Sequence, residues 1–135
     1  MKKKGKERGA VAVEMAIVLP LLLLILLGII EFGRALNVQV SLTQAAREGA
    51  RYAAIHHGES GFDVQAATLA AAPSLSGLSV TVTDNASSCT STSNVQVETR
   101  VALPSLTGFL DAGFFGASGI FPLSMTGVGV MRCGG

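Results

Sequence analysis

The chain has 135 residues, enough for one domain or for an anchor with one small domain after it. Hydrophobic residues make up 49%, aromatic residues 5%, and tryptophan is absent, so a soluble part has to pack mainly on Ala, Val and Leu. The formal net charge is only +1, and its distribution says more than its size.

Residues 1–9 read as an unstructured basic leader, carrying Lys2, Lys3, Lys4, Lys6 and Arg8 against Glu7. Ala10 to Ile30 follows as an apolar run of 21 residues. As a helix it spans roughly 32 Å at about 1.5 Å per residue, which matches the ~30 Å hydrocarbon core of a bilayer. Such a basic stub beside an apolar helix sets membrane topology at lower cost than it binds nucleic acid. The positive end stays cytoplasmic and the remainder faces outward. The run exceeds the roughly 7–15 residues of a signal-peptide core, and Gly33-Arg34-Ala35 is a mediocre cleavage site, so the anchor is expected to be retained. Pro20 removes one backbone donor from this helix, which membrane spans tolerate.

Glu14 is the one charged residue inside that run. A charged side chain at the centre of a membrane helix costs on the order of 2.5–3.5 kcal/mol, less toward the interface, so it is a functional candidate by default. It stands five residues after Gly9, at the junction of basic leader and apolar helix. That is the processing pattern of type IV prepilins. The string from Arg8-Gly9-Ala10 through Glu14-Met15 to Pro20-Leu21-Leu22 resembles the start of TadE-like (TadE/TadG) proteins of the tight-adherence pilus system. The resemblance runs on through Glu31-Phe32-Gly33-Arg34 to Ala45-Ala46-Arg47-Glu48-Gly49-Ala50-Arg51-Tyr52-Ala53-Ala54, roughly the first 55 residues. It implies a prepilin peptidase acting between Gly9 and Ala10. It also implies a carboxylate, Glu14, that neutralises the N-terminus of an adjacent subunit during insertion, and other pilin-like subunits as partners. Pilin subunits of the tight-adherence type have an aromatic residue directly after the glutamate. Met15 stands there instead, which favours a minor, pilin-like component over the main filament subunit.

Residues 31–57 are expected to continue the helix. Arg34, Asn37, Ser41, Gln44, Glu48 and Arg51 form a polar stripe at helical spacing, opposite Ala35, Val38, Leu42, Ala45, Gly49 and Tyr52. Ser41, Ala45, Gly49 and Ala53 add a ridge of small side chains, open to the chain's own head or to another subunit's helix. The helix is expected to stop near His56-His57-Gly58, with Gly58 as C-cap. A head follows over residues 58–135. It is read as a short helix from Gly61 to Ala72, strands over 78–83 and 94–103, and a weaker third over 123–132, the first two pairing antiparallel. The fold class is therefore α+β, a long N-terminal helix followed by a small antiparallel sheet. Cys89 and Cys133 lie on the outward side, where a disulfide is the default, and closing that loop contributes roughly 3–4 kcal/mol on the chain-entropy model. Residues 104–122 form a long Gly- and Phe-rich connection. Its Phe109, Phe114 and Phe115 either cover the sheet or touch membrane or a partner.

Catalytic constellations are missing. His56 and His57 are adjacent and so do not face each other on a helix, and no further ligand follows at metal spacing. No nucleophile elbow or phosphate loop is present; Gly113, Gly116 and Gly119 recur in an apolar loop without a lysine. Asn85-Ala86-Ser87 matches a glycosylation acceptor only formally. No cofactor, metal, small-molecule substrate or nucleic acid is expected, and no enzyme activity. The expected protein is a single-pass pseudopilin of the bacterial cytoplasmic membrane, its N-terminus inside. A generic envelope protein with an extracytoplasmic binding domain is the alternative, favoured if Gly9 is never cut.

Overall fold

The computed structural model describes residues 4–108, 111 and 119–134. Phe109, Phe114 and Phe115 lie outside the described residues. The chain forms two compact units, Met1–Gly33 and Arg34–Gly135. Its elements are α1 (Lys4–His56), α2 (Val64–Ala70), β1 (Thr81–Asp84), β2 (Asn94–Leu103) and β3 (Leu123–Arg132), with single 3-10 turns at Pro73–Leu75 and Ala86–Ser88. This is an α+β chain: a long apolar N-terminal helix, then a small three-stranded antiparallel sheet.

The first unit is the part of α1 up to Gly33. The helix begins at Lys4, so the leader, read as unstructured, is helical over 4–9. Residues 9–23 are exposed, among them Ile17 at 68% and Leu22 at 63%. Within the described residues, nothing of this chain covers that apolar surface.

The second unit is built on the rest of α1. Ala35, Val38, Leu42, Ala45 and Gly49 are buried, while Asn37, Gln44, Glu48 and Arg51 are exposed, as the amphipathic spacing requires. The apolar face therefore packs on the chain's own head. One cluster joins Val38 and Leu42 to Leu75, Val101, Leu103 and Met125. A second joins Ala50, Ala53 and Ala54 to Val64, Val95, Val97 and Cys133.

The sheet order is β1-β2-β3, antiparallel throughout, with Thr81 opposite Arg100 and Leu103 opposite Leu123. Strand β2 alternates buried and exposed along its whole length, the pattern of a sheet with one covered face. The one polar side chain buried within that face is Thr99, whose Oγ1 lies 3.1 Å from Leu42 O and 3.3 Å from Gly127 O. It donates to a helix carbonyl or a strand carbonyl and so leaves no buried donor unpaired.

Glycines set how closely α1 lies on β3. A Cβ at Gly127 would stand 2.6 Å from Leu42 O and 2.7 Å from Thr43 N, and one at Gly129 would overlap the Ala46 carbonyl and Arg47 N. Gly49 does the same for α2, since a Cβ there would run into the Thr68 hydroxyl. The small-residue ridge on α1 is thus used within the head.

Two elements differ from the sequence reading. The helix expected over 61–72 is shorter, Val64–Ala70, because Asp63 caps it, accepting from Ala66 N–H at 3.0 Å, and Pro73 opens a separate 3-10 turn. The strand expected over 78–83 begins only at Thr81. Gly77 sits at φ +93°, and the Val80 N–H donates to Leu78 O at 2.9 Å, which holds this stretch in a tight turn instead of the ladder. The third strand, read as the weakest, pairs with β2 over ten residue pairs.

Cys89 and Cys133 form a disulfide with Cα atoms 5.7 Å apart, tying the β1–β2 loop to the chain just after β3 across a separation of 44 residues. Replacing both with alanine is expected to cost the head about 3–4 kcal/mol on the chain-entropy model. Urea titration of the anchored protein measures this. Unchanged protease resistance in the double variant would count against it.

Candidate functional site

The candidate site is the junction of leader and anchor. Gly9, Ala10 and Glu14 all lie in α1, and all three are exposed. Ala10 stands four residues before Glu14 and therefore on the same helix face, one turn away. The residues flanking Glu14 on that face, Val11, Ile17 and Val18, are apolar and exposed at 57%, 68% and 50%. A carboxylate is thus displayed on a surface that otherwise suits hydrocarbon. The α1 stretch Gly9–His56 is long and apolar enough to cross a membrane, with a most apolar window of mean hydropathy 2.8. Chemically, among the described residues, the arrangement offers one carboxylate and no partner base or nucleophile. It can attract a cation and can do little else.

Residues 9–51 match the family model for TadE-like proteins. The matched segment opens on Gly9, contains Glu14, and continues to Arg51 in the head-packing half of α1. The TadE-like family implies a component of tight-adherence pilus assembly, a structural role and not an enzymatic one. No curated protein and no solved structure matches the chain.

The remaining sequence candidates fall elsewhere. The imidazoles of His56 and His57 each donate Nδ1–H to a carbonyl of the last helical turns, Tyr52 O at 3.0 Å and Ala54 O at 2.8 Å. The His56 ring also stacks on Tyr52, with centroids 4.2 Å apart. Both histidines finish the helix end, and among the described residues no group of three or more His, Cys, Asp or Glu is placed to hold a metal. Of the leader residues, Lys4, Lys6 and Arg8 lie in α1, while Lys2 and Lys3 fall outside the described residues. Glu31, a carboxylate that the sequence reading gave no role, is only 2% exposed. Its trace in the sequence is its place directly after the apolar run, inside the segment that resembles TadE-like proteins.

Proposed function

We propose that the protein is a minor pseudopilin of a tight-adherence pilus or a related secretion system. It sits in the bacterial cytoplasmic membrane as a single-pass protein, N-terminus inside and head outside. A prepilin peptidase hydrolyses the Gly9–Ala10 bond, which leaves 135 − 9 = 126 residues. Other pilin-like subunits are its partners; it takes no cofactor, nucleic acid or small-molecule substrate.

The reading rests on one observation, the glycine-to-glutamate spacing of Gly9 and Glu14 at the very start of the matched segment. Its physical sense lies in what cutting would create. A new α-amino group on Ala10 would stand one turn from a carboxylate at the rim of the hydrocarbon. An ammonium at a helix N-terminus meets the unfavourable end of the macrodipole, and a carboxylate in the first turns offsets that.

The test is the intact mass and first residue of the protein extracted from its native membranes. A chain starting at Ala10 is the expected result. A chain starting at Met1 would return the protein to a generic anchored envelope module. A start near Leu36 would mean that the anchor is a removed signal peptide.

A further inference from the structure

Strand β3 stands at one end of the sheet order, so one side of its backbone bonds β2 and the other faces outward. Cys133 fixes which residues do which. Its N–H donates to Ser93 O at 3.0 Å in continuation of the β2–β3 register. The Ser93 N–H itself goes to Thr90 O at 2.9 Å, but the Cys133 bond still sets the phase, because bonded and non-bonded pairs alternate along an antiparallel ladder. The odd-numbered residues of β3 therefore bond β2, while Ser124, Thr126, Val128, Val130 and Arg132 turn N–H and C=O outward. Among the described residues one of these outward groups has a partner: Thr126 O accepts from Gln39 Nε2 at 2.8 Å.

Natural sheets blunt such an edge with lysine, proline, charge or a bulge. From Leu123 to Met131 this strand has none of the first three, and its pairing with β2 runs without a bulge. Val128 and Val130 stand 44% and 55% exposed on its outer face. The helix adds a second apolar wall. Gln39, which reaches the edge, shares its patch of α1 with Leu36 and Val40, exposed at 53% and 56%. A strand laid along β3 would find Val128 and Val130 on one side and Leu36 and Val40 on the other. At the far end the charge turns positive. Arg132 and Arg47 are exposed, and among the described residues neither has an ion pair, whereas Arg51 is held by Glu48 at 3.6 Å.

We propose that β3 accepts an added antiparallel strand from a partner protein. That strand is an extended segment with alternate apolar residues and a carboxylate at the end beside Arg132 and Arg47. Main-chain bonds supply its affinity and the two apolar walls its selectivity, the logic of β-augmentation. The β3 of a second copy does not fit, because it carries no carboxylate to meet the arginines.

The experiment uses the full chain in nanodiscs of phosphatidylethanolamine and phosphatidylglycerol, with amide hydrogen exchange as the readout. The probe is a capped peptide, Asp-Val-Thr-Val-Thr-Val-Thr. Controls are the same peptide with Lys for Asp, and one N-methylated at alternate bonds. The Asp peptide is expected to slow exchange of the Thr126, Val128 and Val130 amides about tenfold while the β2-bonded amides stay as they were. The Lys peptide should bind about three- to fivefold more weakly at low salt, the range of an exposed ion pair. The N-methylated peptide should do nothing. Val128→Pro, which deletes an outward N–H and no ladder bond, should abolish the protection. Val130→Lys, which keeps the backbone intact and adds charge at the edge, should weaken it. Unchanged exchange with every peptide, or equal effects of the N-methylated one, would overturn the proposal. So would protection of the outward amides in the chain alone that grows with its concentration, since the occupant would then be a second copy.

Discussion

Replacing Gly129 with valine is expected to unfold the head or leave it at the edge of unfolding. A Cβ at this position overlaps the backbone of α1 at Ala46 and Arg47, and backbone held in a helix cannot rotate away as a side chain can. The helix would have to lift off β3, opening both clusters beneath it, the one in which Leu42 is fully buried and the one in which Val95 and Val97 are. Overpacking of a tight core costs typically 1–3 kcal/mol where side chains can yield. Here nothing yields but the helix itself, so about 3 kcal/mol or more is expected, at the destabilising extreme for single substitutions. For a head of this size that lowers the melting temperature by more than about 10 °C. Val128→Thr is the control, since its side chain is on the exposed face of the same strand. Thermal unfolding of the two variants, followed by far-ultraviolet circular dichroism, gives the comparison. Equal melting temperatures would mean that α1 does not rest on β3 as described.

The same contact shows why part of the fold was legible in the sequence and part was not. The stripe Ala35, Val38, Leu42, Ala45 and Gly49 has the helical period, and its burial could be read from spacing alone. Strand β2 has the period of two, Val95, Val97, Thr99 and Val101 on one face, and its ends agree with the reading at Asn94 and Leu103. Strand β3 reads as weak in the sequence because Gly127 and Gly129, poor strand formers, occupy inward positions. Their smallness is what α1 requires, and that requirement belongs to a residue some 85 positions earlier in the chain (129 − 46 = 83, 127 − 42 = 85). Propensity is local and cannot register it. The missing start of β1 has the opposite cause, a turn at Gly77 and Leu78 that overrides an alternating pattern. At the candidate site the sequence offers residues but not their partners. Gly9 and Glu14 declare themselves by spacing, but a free strand edge is a property of the ladder. Sequence alone did not indicate which groups of β3 turn outward.

Glu14→Ala is expected to leave membrane insertion intact and to remove assembly. The carboxylate opposes insertion, by up to about 2.5–3.5 kcal/mol at full depth and less near the rim, so deleting it makes the span easier to insert. Glu14 lies four residues inside Ala10, about 6 Å along the helix, shallow enough to meet a cation at the interface. Once an ammonium and this carboxylate have both left water, removing one of them strands the other, at a cost of about 3–5 kcal/mol. That corresponds to a loss of roughly two to three and a half powers of ten in association. Glu14→Gln preserves size and hydrogen bonding but not charge, so it should fail nearly as badly as alanine if charge neutralisation is the role. If the side chain only fills space or reaches for headgroup water, glutamine should behave as wild type. Carbonate extraction measures the inserted fraction, and counting pili on cells carrying each variant measures assembly. Normal piliation with Glu14→Ala would remove the glutamate from the mechanism while leaving the anchor intact. Failure of both insertion and assembly would assign Glu14 to topology instead.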